Sequence, residues 1–270
     1  MIDWRSLLRP GMRGVVVEGE DDRIVIEAFL NAGENQSHWS DWRRRLVIVQ
    51  AGGSERVLKE LNGAAHNSDV WAILDMDWRP DKEMETWGEQ YSNLMFLPRI
   101  MIENFFINPD EWSNMLRAYH PSADITLLRT KTETALAEWI KHSALSQVLY
   151  ENGAYEFCRG GTGYPRRLID TLVTDEQEIT GALESWRKHL DPLTVLSNHR
   201  VKVAKFQSYP QKKQYQLCID GKSFFRQVIV EEIFNKHLPQ AGASTWLKDL
   251  SSQITDVPPD LLPVLSQLFL

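Results

Sequence analysis

Two short apolar runs end abruptly in carboxylates. Val15-Val16-Val17 runs into Glu18-Gly19-Glu20-Asp21-Asp22, and Val70 to Leu74 runs into Asp75-Met76-Asp77. A short aliphatic run without polar alternation is the pattern of a strand buried on both faces, as in a parallel sheet covered by helices. Ligands of such sheets bind outside the carboxyl ends of the strands. The acids are therefore expected at one rim, where they repel one another unless a cation neutralises them. Oxygen-only ligands suit Mg²⁺ or Mn²⁺. The two runs together predict a divalent-metal site for phosphate chemistry.

The remaining punctuation extends this pattern into a doubly wound α/β unit. Arg13 to Glu18 reads as a strand and Asp21 to Asn31 as a helix, with Asp21 or Asp22 as its cap. Arg45 to Gln50 is a second strand, followed by the turn Ala51-Gly52-Gly53-Ser54 and a helix from Glu55 to about His66. Val70 to Leu74 and Asn93 to Leu97 are the third and fourth strands. Asp81 reads as a turn residue. After Pro109 the grammar changes to helices, with candidates at 110–119, 132–150, 165–171, 175–189, 222–237, 245–253 and 259–269, and Arg200 to Phe206 as a further strand. The expected architecture is an α/β domain over 1–110 and a mainly helical domain over 111–270, with a weakly marked boundary that allows both to pack as one body.

At 270 residues the chain can bury a sizeable core. No apolar stretch is long enough to cross a bilayer, and Met1-Ile2-Asp3-Trp4-Arg5 lacks the features of a signal peptide. Cys158 and Cys218 form no metal spacing, so a cytoplasmic protein without a membrane partner is expected.

The net charge of -7 argues against indiscriminate nucleic-acid binding, but the charge is unevenly distributed. Residues 1–110 carry 12 Lys/Arg against 19 Asp/Glu, and the rest of the chain is neutral. Within it, the stretch 200–226 holds Arg200, Lys202, Lys205, Lys212, Lys213, Lys222 and Arg226 against Asp220 alone, with Phe206, Tyr209, Tyr215, Phe224 and Phe225 between them. Such a stretch can follow a phosphate backbone and stack bases; it reads equally as a solvated surface over buried aromatics. Arg166 and Arg167, beside Gly160-Gly161-Thr162-Gly163, are further candidates for polynucleotide contact.

Glu18-Gly19-Glu20-Asp21-Asp22, the Gly52-Gly53 turn and Asp75-Met76-Asp77 resemble the TOPRIM domain, the metal-binding fold of topoisomerases, bacterial primases and OLD-type nucleases. The segment Leu97 to Pro109, with Ile102-Glu103-Asn104-Phe105 at its centre, is similar to that of a stand-alone OLD-like TOPRIM group, in which a helical tail follows the core. That group includes the nuclease component of the PARIS anti-phage system, encoded beside a separate ATPase. The resemblance covers 13–110 well and the tail only in general character. It implies that Glu18 is the metal-proximal carboxylate and a general base, that Asp75 and Asp77 hold Mg²⁺ (or Mn²⁺), and that Asp22 and Glu103 complete a second metal site. In a two-metal arrangement one ion activates water and the other stabilises the leaving oxygen. Lys222 is the candidate to support the pentavalent phosphorus.

Other chemistries fit less well. A P-loop ending in Gly221-Lys222-Ser223 requires glycine at 216, where Gln216 stands. Gly160-Gly161-Thr162-Gly163 has no lysine after it and reads as a loop. No nucleophile elbow, activated cysteine or histidine metal spacing is present. Trp39, Trp42, Trp78 and Trp87 fall in polar segments, which suggests a partner surface.

The resulting expectation is an endonuclease that hydrolyses RNA such as transfer RNA (tRNA), or DNA. It is expected to act as the toxic effector of an anti-phage defence system controlled by a separate ABC-type ATPase, and self-association into a homo-oligomer is compatible with the sequence. The alternative is a TOPRIM module that binds nucleic acid without cutting, as a sensor or scaffold. A primase or strand-passage enzyme lacks its tyrosine or zinc context here, and a small-nucleotide phosphatase would leave the basic stretch unused.

Overall fold

The computed structural model describes residues 8–63, 69–151, 174–184 and 191–270. Strands β1 (Arg13–Val17), β2 (Leu46–Gln50), β3 (Val70–Leu74) and β4 (Leu94–Phe96) form one all-parallel sheet in the order β2-β1-β3-β4. Parallel neighbours require crossovers. They are supplied by α1 (Glu20–Asn35) with the short α2 (Trp42–Arg45), by α3 (Ser54–Gly63) and by α4 (Asp81–Gln90).

Alternation along the strands divides the sheet into two apolar faces. Val15, Val17 and Ile73 pack with Val25, Ile26 and Phe29 of α1, while Val16, Ala72 and Leu74 pack with Val57 and Leu61 of α3. The sheet and its flanking helices thus match the expected α/β layout. One crossover differs: Asp81 is not a turn residue but the first residue of α4, after Pro80 at its N-cap. That helix has no buried residue, so its sequence lacks the apolar stripe by which amphipathic helices are recognised.

A 3₁₀ turn, Ile102–Phe105, leads into the helical part. There α5 (Pro109–Tyr119), α6 (Ile125–Glu151), α7 (Glu176–Glu184), α8 (Pro192–Gln207) and α9 (Gln211–Leu217) follow. Gly221–Phe224, the π-helical Phe225–Phe234 and Asn235–His237 continue one another as α10, before α11 (Ala243–Ser251) and α12 (Leu262–Gln267). The expected helix at 165–171 lies outside the described residues, as do Arg166, Arg167 and the Gly160–Gly163 loop.

The strand expected from Arg200 to Phe206 is instead the interior of α8. Alternating Val201, Lys202 and Val203 imitates a strand. The decisive signal lies upstream, where Asp191 accepts from the Leu193 and Thr194 N–H groups and Pro192 occupies the first turn.

The tryptophans also depart from expectation. Trp39, Trp42 and Trp78 are buried, and Trp87 is half-buried against Phe96. Trp39 Nε1 donates to the Leu30 carbonyl at 2.8 Å and Trp42 Nε1 to Asn31 Oδ1 at 2.9 Å, so both indoles are fixed to α1. Gly33 makes room for Trp39, since a Cβ there would stand 2.0 Å from the indole ring. Polar neighbours in sequence disguised these residues, because an indole needs only one hydrogen-bond partner to be buried.

The core on the α1 face continues from Val15 through Trp112, Trp139 and Trp246 to Leu268. Pro109 therefore marks a change of element type while the interior runs on across it.

Candidate metal centre

β1 and β3 are neighbours, so their carboxyl ends bring Glu18 and Asp75 to one rim. The loop after β2 supports this rim. Gly52 and Gly53 both donate to the Glu18 carbonyl, at 2.8 and 3.0 Å. Their φ values of 90° and 118° lie where a residue with a side chain is strained. The Gly-Gly turn thus holds the backbone that presents Glu18. On the other side Gly19 opens α1, and its N–H donates to Asp22 Oδ2 at 2.6 Å. Asp22, rather than Asp21, makes this capping contact.

Asp75 Oδ1 accepts the Ile102 N–H at 3.0 Å, which ties the strand end to the 3₁₀ turn that carries Glu103. Asp77 sits at φ 46° and its N–H donates to the Ile100 carbonyl at 2.7 Å. Arg79 pairs with the Asp77 carboxylate at 2.9 Å, donates to the Asp75 carbonyl at 2.6 Å and lies over the Trp87 ring. Sequence reading missed Arg79, and its closeness to the Asp-x-Asp run was the only signal.

These residues surround a cleft of about 590 Å³. Glu18, Asp75, Asp77 and Arg79 form one wall, Gly53 and Ser54 open α3 at its side, and Lys222, Ser223 and Arg226 come from α10. Lys222, whose place rested on resemblance and charge alone, is thus brought to the same cleft as Glu18 and Asp75. Arg226, counted only as one of the bases of the stretch, joins it one helical turn on. A separate hollow of about 370 Å³, lined by Phe29, Met115 and Pro258 among others, contains none of these acids.

Burial pushes the Glu18 carboxyl up to about 7, and the charge of Asp77 adds to it. Burial also raises Asp22 to about 6 and holds Asp75 well above the usual carboxylate range, with Asp22 and Asp77 adding repulsion at Asp75. Glu103 is raised to about 7 by burial, against the pull of Lys222, and Glu103 in turn raises the Lys222 ammonium. Glu18, Asp22, Asp75, Asp77 and Glu103 therefore belong to one electrostatic cluster.

Among the described residues, no group of His, Cys, Asp or Glu side chains is drawn in so as to hold a metal ion as it stands. Mutual repulsion and the Asp77–Arg79 pair keep the acids apart. The donor chemistry nevertheless fits a hard divalent cation. Every candidate ligand is a carboxylate, and Glu18 Oε1 is buried without a hydrogen-bond partner. Glu18, Asp75 and Asp77, which face the cleft, are the residues that could hold one.

The basic stretch is divided by the fold. Arg200 pairs with Glu176 and Lys202 with Glu151, each at 2.7 Å, whereas Lys205, Lys212 and Lys213 are exposed. None of these five lines the cleft; Lys222 and Arg226 do. Phe206, Tyr215, Phe224 and Phe225 are buried core residues, so they cannot stack bases at a surface. Among the described residues no helix is long and apolar enough to cross a membrane. No protein-family model and no curated protein matches the chain.

Proposed function

We propose that this chain is a metal-dependent endonuclease of the TOPRIM type that hydrolyses phosphodiester bonds in RNA or DNA. The observation that carries the reading is the cleft itself, in which the raised carboxyls of Glu18 and Asp75 face Lys222 and Arg226. Glu18, Asp75 and Asp77 would hold Mg²⁺ or Mn²⁺. When bound, such an ion activates water and neutralises charge on the phosphate.

The chain's own residues supply the rest. Glu18, with its buried oxygen, is placed to accept the proton of the attacking water. Lys222 offsets the negative charge that grows on the phosphoryl oxygens in the transition state. Arg226, on the same face of α10, binds an adjoining phosphate of the strand. Arg79 orients Asp77 and the Asp75 backbone.

Incubating the purified protein with total RNA and with plasmid DNA, in Mg²⁺, Mn²⁺ or EDTA, tests the proposal. Cleavage that requires metal and disappears in Glu18→Ala supports it and names the polymer. Metal-independent cleavage, or cleavage retained in Glu18→Ala, removes it. The TOPRIM resemblance further places the nuclease as a toxic anti-phage effector restrained by an ABC-type ATPase. Toxicity on expression that Glu18→Ala leaves unchanged would favour a non-cleaving sensor or scaffold instead.

A further inference from the structure

The acids of the cluster fall into two sets. Glu18, Asp75 and Asp77 line the open cleft, whereas Asp22 and Glu103 lie behind it. One Asp22 oxygen is engaged with the Gly19 N–H at 2.6 Å. Glu103 is only 6 % exposed, within the 3₁₀ turn.

A built contact sets Lys222 against this second set. Asn104 Oδ1 accepts the Met101 N–H at 2.9 Å, and its amide donates to the Tyr215 carbonyl at 2.6 Å and the Ile219 carbonyl at 3.1 Å. The backbone of Gly221 rests on that amide so closely that a Cβ would stand 2.3 Å from Asn104 Oδ1. From the other side the Asp220 N–H donates to Ser143 Oγ at 3.0 Å, and the Asp220 carboxylate accepts the Ser223 N–H at 2.9 Å. Residue 221 is thereby seated on residue 104. Lys222 follows the one as Glu103 precedes the other, and the ammonium meets the field of Glu103, Asp22 and Asp75.

We infer that the site takes a single divalent cation, on Glu18, Asp75 and Asp77, and that the Lys222 ammonium stands in for a second one beside Asp22 and Glu103. The inference rests on the metal-site reading above and departs from the two-metal expectation. Its physical basis is direct repulsion: an ammonium anchored by the Asn104–Gly221 contact raises the cost of placing a divalent ion next to it. Because Lys222 arrives from the helical part, the same contact couples that part to the charge balance of the strand-end rim.

Counting Mn²⁺ bound to the full-length protein, by titration with detection of free Mn²⁺ by electron paramagnetic resonance, needs no substrate and no cleavage. The expected result is one Mn²⁺ per chain for the wild type and for Lys222→Arg, and two for Lys222→Met, which keeps the stem and removes the charge. Glu103→Gln should remain at one, because it deletes a ligand of the excluded position. Two ions on the wild type, or one on Lys222→Met, would overturn the inference while leaving the metal site standing. No bound Mn²⁺ on the wild type would remove the metal-site reading together with it. The wild-type count decides the matter even if Lys222→Met fails to fold.

Discussion

Two clusters of buried charge lie within a few residues of each other and are built on opposite principles. Arg99, fully buried, is held by Glu111 at 2.6 and 2.8 Å, by Asp260 at 2.8 Å and by the Asn104 carbonyl at 3.0 Å, with Phe105 stacked 4.0 Å from it. Two carboxylates answer one guanidinium, and burial of the charge is matched by partners. Around Glu103 and Asp75 the balance is reversed, for the acids outnumber the cations and burial pushes their carboxyls upward. Both clusters join the sheet region to the C-terminal helices, yet only the first is complete within the chain. A satisfied charge cluster is structural mortar; an unsatisfied one beside a cleft is a candidate for ligand chemistry.

The sharpest way to separate the two is to remove one member from each. Asp75→Asn should lower cleavage at least ~10²-fold, the scale of losing one transition-state charge interaction. The melting temperature of its metal-free form should hold or rise, because one source of repulsion is gone. An unfolded or strongly destabilised Asp75→Asn would make Asp75 a structural partner of the Ile102 N–H instead. Arg99→Met should do the reverse. Leaving Glu111 and Asp260 unanswered is expected to cost about 3–5 kcal/mol in chemical denaturation. Equal stability losses in both variants would erase the distinction between the clusters. The smallest effect is expected for Asp260→Ala, about 1–2 kcal/mol, since Glu111 still grips Arg99 through both oxygens.

How much of this was legible in the sequence follows from the range of the interactions involved. All four strands, and the placement of Glu18 and Asp75 at their ends, were readable because burial on both faces leaves an uninterrupted apolar run. Local grammar failed at α4, which has no buried stripe, and at α8, where two valines alternating with lysine concealed a helix begun by Asp191 and Pro192. Burial of the aromatics between 206 and 225 and of three tryptophans depends on partners far along the chain. Trp39, for example, stacks on Phe269 at 5.1 Å. Arg79 was visible as a residue but not as a partner, because its role depends on the left-handed turn at Asp77. The seating of Lys222 by Asn104 and Gly221 has no sequence signature at all.

The strand-end acids give the central claim a direct readout in the melting temperature of the protein between pH 5 and 8, with and without Mg²⁺. Glu18 and Glu103 bind protons up to about 7 in the folded state and only near 4.5 when unfolded. Folding is therefore favoured by protons in that window, and stability is lost as the pH rises through it. Glu20 and Glu138, lowered by Arg23 and Lys141, act in the opposite sense but are largely exposed and screened. The predicted result is a metal-free melting temperature that falls from pH 5 to 8 and is restored by Mg²⁺, most of all at the alkaline end, because the ion binds the ionised folded site. A melting temperature that rises across the same range and ignores Mg²⁺ would contradict a divalent-cation site at the strand ends.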